Sequence, residues 1–178
     1  MKKHMALPWT KTDIAAAKLH DYVKTHTDIL TKGHSVNVVD IGHVFQHVPE
    51  LMEFFAQHSV TPRVGFFLYS KPNETLLPHV DHGKPKRFLF PVFNCQGSIT
   101  EFYKAADDEI VLATLRNGNK FYNVNITPPY TVLDQFELTQ PMVLDTGVPH
   151  GVFRDRSTGN PRISFTVATV EPLDHFLQ

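Results

Sequence analysis

From about residue 61 onward, short runs rich in Val, Ile, Phe, Tyr and Thr alternate with Gly, Pro and Asn punctuation. This texture restricts the fold more than any other feature, because closely spaced β-formers separated by turn residues are what an all-β sandwich or barrel requires. The pattern predicts strands over 63–69, 76–82, 87–94, 98–103, 110–116, 121–126, 131–138, 141–145, 150–154 and 162–170. Asn117-Gly118 reads as a hairpin turn between two of them.

The residues before this region behave differently. Ala15, Leu19, Tyr22 and Val23 recur at helical spacing over 12–24, with Thr12 or Asp13 placed to cap the start. A second helix is predicted over 49–57, with Pro49 in the first turn and Leu51, Met52, Phe54 and Phe55 on the apolar side. Two helices followed by roughly eight strands predict a mainly β fold. The expected form is a cupin-like double-stranded β-helix, or jelly roll, with the helices packed on one sheet. At 178 residues the chain is expected to form a single domain: residues 1–60 as helical support and 61–172 as the double-stranded β-helix core.

Composition narrows the possible partners. Lys plus Arg total 17 against 18 for Asp plus Glu, so no global basic field draws the chain toward nucleic acid or an anionic membrane. No apolar run approaches the roughly 20 residues of a membrane span, and the opening MKKHMALPWT lacks the apolar stretch of a signal peptide. One cysteine, Cys95, leaves no internal disulfide and is expected as a small buried hydrophobe. A cytoplasmic setting is the expectation.

Within the β region, His79-Val80-Asp81 places a histidine and a carboxylate at i and i+2 of a predicted strand. Such residues point to the same face, so both can bind one ion without distorting the backbone. His150, in VLDTGVPHGVF, supplies a third ligand from another strand. Two imidazoles and one carboxylate leave the opposite coordination positions open, the arrangement that non-haem iron(II) enzymes use. Histidine and aspartate at this spacing arise often by chance. His26-Thr27-Asp28 repeats it just past the first helix, and is assigned to the surface. His82 falls on the opposite face from His79 and is read as supporting or surface. His43 and His47 have helical i, i+4 spacing, but Gly42 before them and Pro49 after them argue against one helix holding both.

A carboxylate clamp follows at residue 162. In Pro161-Arg162-Ile163-Ser164-Phe165-Thr166-Val167, strand alternation puts Ile163, Phe165 and Val167 on one face and Arg162, Ser164 and Thr166 on the other. Arginine among small residues on an inward face is costly unless an anion pairs with it. A ligand carboxylate meets that need, held bidentately by the guanidinium and by the Ser164 hydroxyl. The competing reading is a salt bridge to an acidic residue of the chain itself.

Together, H-V-D at 79–81, V-P-H-G-V at 148–152 and R-I-S at 162–164 resemble the Fe(II)/2-oxoglutarate-dependent oxygenase superfamily. The resemblance spans residues 63–170. The stretch HVDHGKPKRFLFPVFN, with Gly97, Thr100 and Phe102, is similar to prolyl- and aspartyl/asparaginyl-hydroxylase-like members. This chain carries Arg162 where the prolyl group commonly has lysine, and keeps Asp81 where well-known aspartyl/asparaginyl members lack that ligand. The resemblance implies a hydroxylase that binds iron(II) through His79, Asp81 and His150. Arg162 and Ser164 would anchor 2-oxoglutarate, and the partners would be dioxygen and a small-molecule or peptidyl substrate. Succinate and carbon dioxide would be released.

Supporting roles are open. Arg87 shares a face with Leu89 and Pro91 and is read either as binding a carboxylate of cosubstrate or substrate, or as a surface charge of Lys84-Pro85-Lys86-Arg87. Tyr69 ends a strand where its phenol could reach the cosubstrate carboxylate, or simply pack. Asn94 and Asp145 are candidates for orienting ligands, Asp145 also for a turn before Gly147. Two rival functions remain: a cupin-like metal enzyme that does not use 2-oxoglutarate, and a non-catalytic jelly-roll binding module.

Overall fold

The computed structural model describes residues 2–32, 36–81, 86–114, 120–154 and 159–178. It is a double-stranded β-helix with a helical layer on one side. The strands are β1 (His4–Ala6), β2 (Val36–Val39), β3 (Pro62–Ser70), β4 (Leu76–Asp81), β5 (Lys86–Phe93) and β6 (Ser98–Tyr103), followed by β7 (Ile110–Thr114), β8 (Lys120–Val124), β9 (Val132–Glu137), β10 (Met142–Asp145), β11 (His150–Arg154) and β12 (Arg162–Thr169). The helices are α1 (Thr12–His26), α2 (Ile29–Lys32), α3 (Ile41–His47) and α4 (Pro49–Gln57).

The strands form two antiparallel sheets. The major sheet runs in the order β1-β10-β5-β12-β3-β2 and the minor sheet β7-β8-β4-β11-β6-β9. Consecutive β7 and β8 pair antiparallel; the expected turn at Asn117-Gly118 lies outside the described residues, as do His82, Lys84 and Pro85.

Three expectations for the first 60 residues are corrected. The segment is not solely helical, because β1 pairs with β10 and β2 with β3 as the two edges of the major sheet. The α1 N-cap is Lys11, without a side-chain cap; the Thr12 hydroxyl instead donates to Trp9 O at 2.7 Å. One helix, α3, does contain both His43 and His47. Gly42 is tolerated there because it falls in the first turn, where the Asp40 carboxylate accepts from Gly42 N at 2.8 Å and His43 N at 3.3 Å. Pro49 opens α4 at its first turn instead of breaking α3.

The two faces of the major sheet bury different things. Phe67, Phe88, Phe90, Ile163, Phe165 and Val167 join Leu19, Val44, Leu51, Phe54 and Phe55 of the helices in the larger core. Each fully buried Phe contributes roughly 1.5–3 kcal/mol there. On the other face, Leu89, Phe102, Phe136, Leu138, Met142 and Leu144 form a smaller core between the sheets. Cys95 belongs to it, buried as expected, with its thiol donating to Ile163 O at 3.1 Å. Among the described residues no helix is long and apolar enough to cross a membrane.

Candidate metal centre

Across the β4–β11 pair, His79 stands directly opposite His150. Opposed residues share a face, and alternation along β4 adds Asp81 to it. Sheet register alone therefore converges the three side chains. Their candidate ligand atoms lie within 4.8 Å of one another, with His79 Nε2 3.7 Å from Asp81 Oδ1 and the two imidazole centroids 4.4 Å apart.

Backbone carbonyls fix both rings. His79 Nδ1 donates to Leu77 O and His150 Nδ1 donates to Val148 O, each at 2.9 Å. A carbonyl can only accept, so Nδ1 carries the proton on each ring and Nε2 keeps its lone pair for the cluster. Burial and the neighbouring His79 ring push the His150 pKa down to about 4, against the opposing pull of Asp81 and the Val148 carbonyl. The ring is therefore neutral at physiological pH, as a metal ligand must be. The turn before His150 is held by Asp145, whose Oδ1 accepts from Gly147 N at 3.1 Å, and Asp81 N donates to Thr146 O at 3.0 Å. Asp145 is thus a turn residue, and the Thr146 carbonyl of that turn links it to the end of β4.

On the facing sheet, β12 places Arg162 and Ser164 toward the interior. Ser164 pairs with Leu68, a residue packed on the inter-sheet core, while Ile163 and Phe165 turn to the helical side. Arg162 is only 3% exposed and Ser164 is fully buried. Among the described residues no carboxylate pairs with Arg162, so the competing salt-bridge reading finds no partner; Arg162 Nε and Ser164 Oγ are buried without hydrogen bonds. Two residues share this condition: Ser98, which sequence reasoning passed over, and Thr100, which it cited only for the resemblance. Ser98 Oγ and Thr100 Oγ1 of β6 are also buried and unpaired, and they alternate inward with Phe102. Their signal in the sequence is Ser-x-Thr-x-Phe, small hydroxyl residues at positions where a packed strand would carry Val or Ile. Buried donors and acceptors without partners cost about 1–3 kcal/mol each. A polar anionic ligand relieves that cost, so the residues present fit a carboxylate on one sheet and a metal ion on the other.

Arg87 stands beside the cluster. Its Nε lies 3.7 Å from Asp81 Oδ2, and its guanidinium sits 4.9 Å over the Phe66 ring. Two expectations are corrected. Tyr69 pairs with Ile163 and packs on the helical core, the face opposite Arg162 and Ser164, so its phenol is turned away from the carboxylate site. Asn94 does not orient a metal ligand. With φ at 52° its side chain donates to Asn160 O at 3.2 Å and Pro161 O at 3.3 Å, pinning the segment that leads into Arg162.

No family model and no curated protein matches the sequence. Solved structures do. The epimerase SnoN, in complex with Fe3+, alpha ketoglutarate and nogalamycin RO, superposes over 93% of this chain and 78% of its own, with TM-score 0.57 and 12% identity. HygX from Streptomyces hygroscopicus, with nickel and 2-oxoglutarate bound, does so over 93% of this chain and 81% of its own, with TM-score 0.52 and 10% identity. Escherichia coli YcfD matches at TM-score 0.46 and 13% identity; the match covers 79% of this chain but about a third of YcfD's length, 34%. At these identities the likeness is one of fold, the double-stranded β-helix that this chain shares with SnoN and HygX.

Proposed function

We propose that the protein is an Fe(II)- and 2-oxoglutarate-dependent oxygenase that hydroxylates a C–H bond of an amino-acid, peptidyl or other small-molecule substrate. The observation that carries this reading is the buried Arg162, with no acidic partner among the described residues, beside a Ser164 hydroxyl that is likewise unpaired among them, on the sheet facing the His79–Asp81–His150 cluster. A metal site alone would fit a cupin-like enzyme without a cosubstrate. The orphaned guanidinium asks for a carboxylate as well. That HygX holds 2-oxoglutarate and nickel, and SnoN alpha ketoglutarate and Fe3+, on the same fold supports this pairing.

In this reading His79, Asp81 and His150 would hold the ion, and a donor set of two imidazoles and one carboxylate would leave coordination positions for cosubstrate and dioxygen. When bound, iron(II) and 2-oxoglutarate would supply the means to activate dioxygen, one oxygen atom passing to succinate as carbon dioxide leaves and the other to the substrate C–H bond as hydroxyl. Arg162 and Ser164 anchor the distal carboxylate, and Thr100 offers a further hydroxyl from β6. Arg87 lies against the second Asp81 oxygen and orients that carboxylate. Leu89, Phe102 and Leu144 keep bulk water from the inter-sheet space. The substrate approaches past β2, where Val36 and Val38 share the inward face of Leu68 and Phe66 yet are 44% and 68% exposed. An open apolar rim of that kind suits a substrate with apolar surface.

Succinate release, measured across a panel of amino acids and peptides with the iron(II)-loaded protein, tests the reading. The expected result is iron-dependent conversion of 2-oxoglutarate to succinate, lost in Asp81→Ala together with iron binding. Iron binding without 2-oxoglutarate binding or succinate would favour the cupin-like reading, and undiminished iron affinity in Asp81→Ala would remove the metal assignment. Product analysis then follows the fate of the substrate carbon, since this fold also carries an epimerase in SnoN.

A further inference from the structure

Outside the inter-sheet site, the helical layer gathers a second set of metal-binding side chains. His26 is the last residue of α1 and His47 the last of α3, with His43 one turn earlier on the same face of α3. Their candidate ligand atoms lie within 4.8 Å of one another, and the ring centroids are 4.4 Å apart for His26–His47, 4.6 Å for His43–His47 and 5.0 Å for His26–His43. His43 is half-buried and the other two are exposed.

The hydrogen bonds around these rings use the same nitrogen each time. His47 Nδ1 donates to His43 O at 2.9 Å. Thr25 gives its hydroxyl proton to Asp21 O at 2.8 Å, so the 2.6 Å contact between Thr25 Oγ1 and His26 Nδ1 has the imidazole as donor. His43 Nδ1 meets the Tyr22 hydroxyl at 2.9 Å, and that phenol, on a residue only 4% exposed, can accept from it. All three rings thus have Nδ1 engaged and Nε2 left to offer, which is how metal-binding histidines are oriented. Tyr22 also stacks on His26, with centroids 4.8 Å apart, and holds that ring against the cluster. Because His26 and His47 close their helices, the cluster sits at two carboxyl ends, where the helix dipoles favour a cation.

We propose that His26, His43 and His47 form a second metal site, selective for a zinc-class divalent cation and independent of the inter-sheet centre. Three neutral imidazoles without a carboxylate suit zinc in tetrahedral geometry, with water in the fourth position. The ion ties the end of α1 to α3, and so clamps the helical layer that covers the major sheet.

Zinc binding to the full chain, followed by competition with a chromophoric zinc indicator, tests this. The wild type is expected to take two equivalents, and Asp81→Ala one, at the helical site. In the Asp81→Ala background, His26→Ala should weaken the remaining site at least about tenfold and remove the zinc-dependent rise in melting temperature. His26→Ala alone should retain iron-dependent 2-oxoglutarate turnover, which also shows that it folds. Equal zinc affinity with and without His26 would reduce the cluster to an ordinary i, i+4 histidine pair and overturn the three-ligand site, as would an Asp81→Ala chain that binds no zinc. Two equivalents persisting in Asp81→Ala would count against the inter-sheet metal assignment alone, because the His26 comparison still reads the helical site.

Discussion

The two faces of β12 lie side by side in sequence yet are built on opposite terms. On the helical side, Ile163, Phe165 and Val167 are fully buried among aromatic and aliphatic neighbours. On the inter-sheet side, Arg162 and Ser164 are also buried, with Arg162 Nε and Ser164 Oγ finding no partner among the described residues. One face stabilises the fold; the other carries a cost in stability, which the proposed function accounts for as a ligand site kept ready. The contrast teaches that burial alone does not mark a core: what marks the site is burial without satisfaction.

The largest effect should come from the helical face. Phe165 lies over Gly65 so closely that a Cβ there would come within 2.8 Å of its ring. Phe165→Ala should lower unfolding free energy by about 3–5 kcal/mol in urea titration, whether or not 2-oxoglutarate is present. A much smaller loss would mean that the two faces do not differ as described.

Arg162→Met, which keeps the side-chain volume, should act in opposite directions on stability and binding. The ligand-free protein should become more stable by about 1–4 kcal/mol, since a buried cation with no acidic partner among the described residues is removed. Its 2-oxoglutarate affinity, measured by calorimetry, should fall on the order of a hundredfold, about 2.7 kcal/mol, with iron(II) affinity unchanged. A less stable variant that binds 2-oxoglutarate normally would make Arg162 structural.

Gly151 tests how the inter-sheet face is held in register. It follows His150 where the β11–β4 pairing shifts, and an added Cβ would stand 2.7 Å from the Leu76 carbonyl oxygen. Backbone must move to admit it, so Gly151→Ala should cost about 1–3 kcal/mol and weaken iron(II) binding, because His150 is displaced relative to His79. Destabilisation with intact iron affinity would show that the ligand register does not depend on this contact.

The smallest effect concerns pH and again belongs to the helical side. His58 packs on Phe54, Phe88 and Phe176, and burial lowers its pKa below the usual 6.5. The unfolded chain therefore takes up this proton first as pH falls. Stability should decline from about pH 6.5 downward, and His58→Leu should flatten that slope in urea titrations at successive pH values. An unaltered slope would assign the acid sensitivity elsewhere.

Much of this arrangement was legible in the sequence because β-strands alternate. A period of two puts His79 with Asp81 and Arg162 with Ser164, and separates Arg162 from Ile163 and Phe165, whatever the rest of the chain does. The ten strands from 63 onward were legible for the same reason. The edge strands β1 and β2 were not, since three or four residues such as His4–Ala6 and Val36–Val39 carry too little pattern and become strands only by pairing with an exposed edge.

Alternation says which residues share a face, not which face a ligand will use. The sequence by itself determined the jelly-roll pattern, the pairing of His79 with Asp81 and the pairing of Arg162 with Ser164. Only the tertiary structure decided that Tyr69 turns to the helices, that Arg87 lies against Asp81, that Ser98 and Thr100 are buried without partners among the described residues, and that His26 meets His43 and His47. Each of these depends on which surfaces pack together across segments far apart in the chain, and local periodicity carries no record of that.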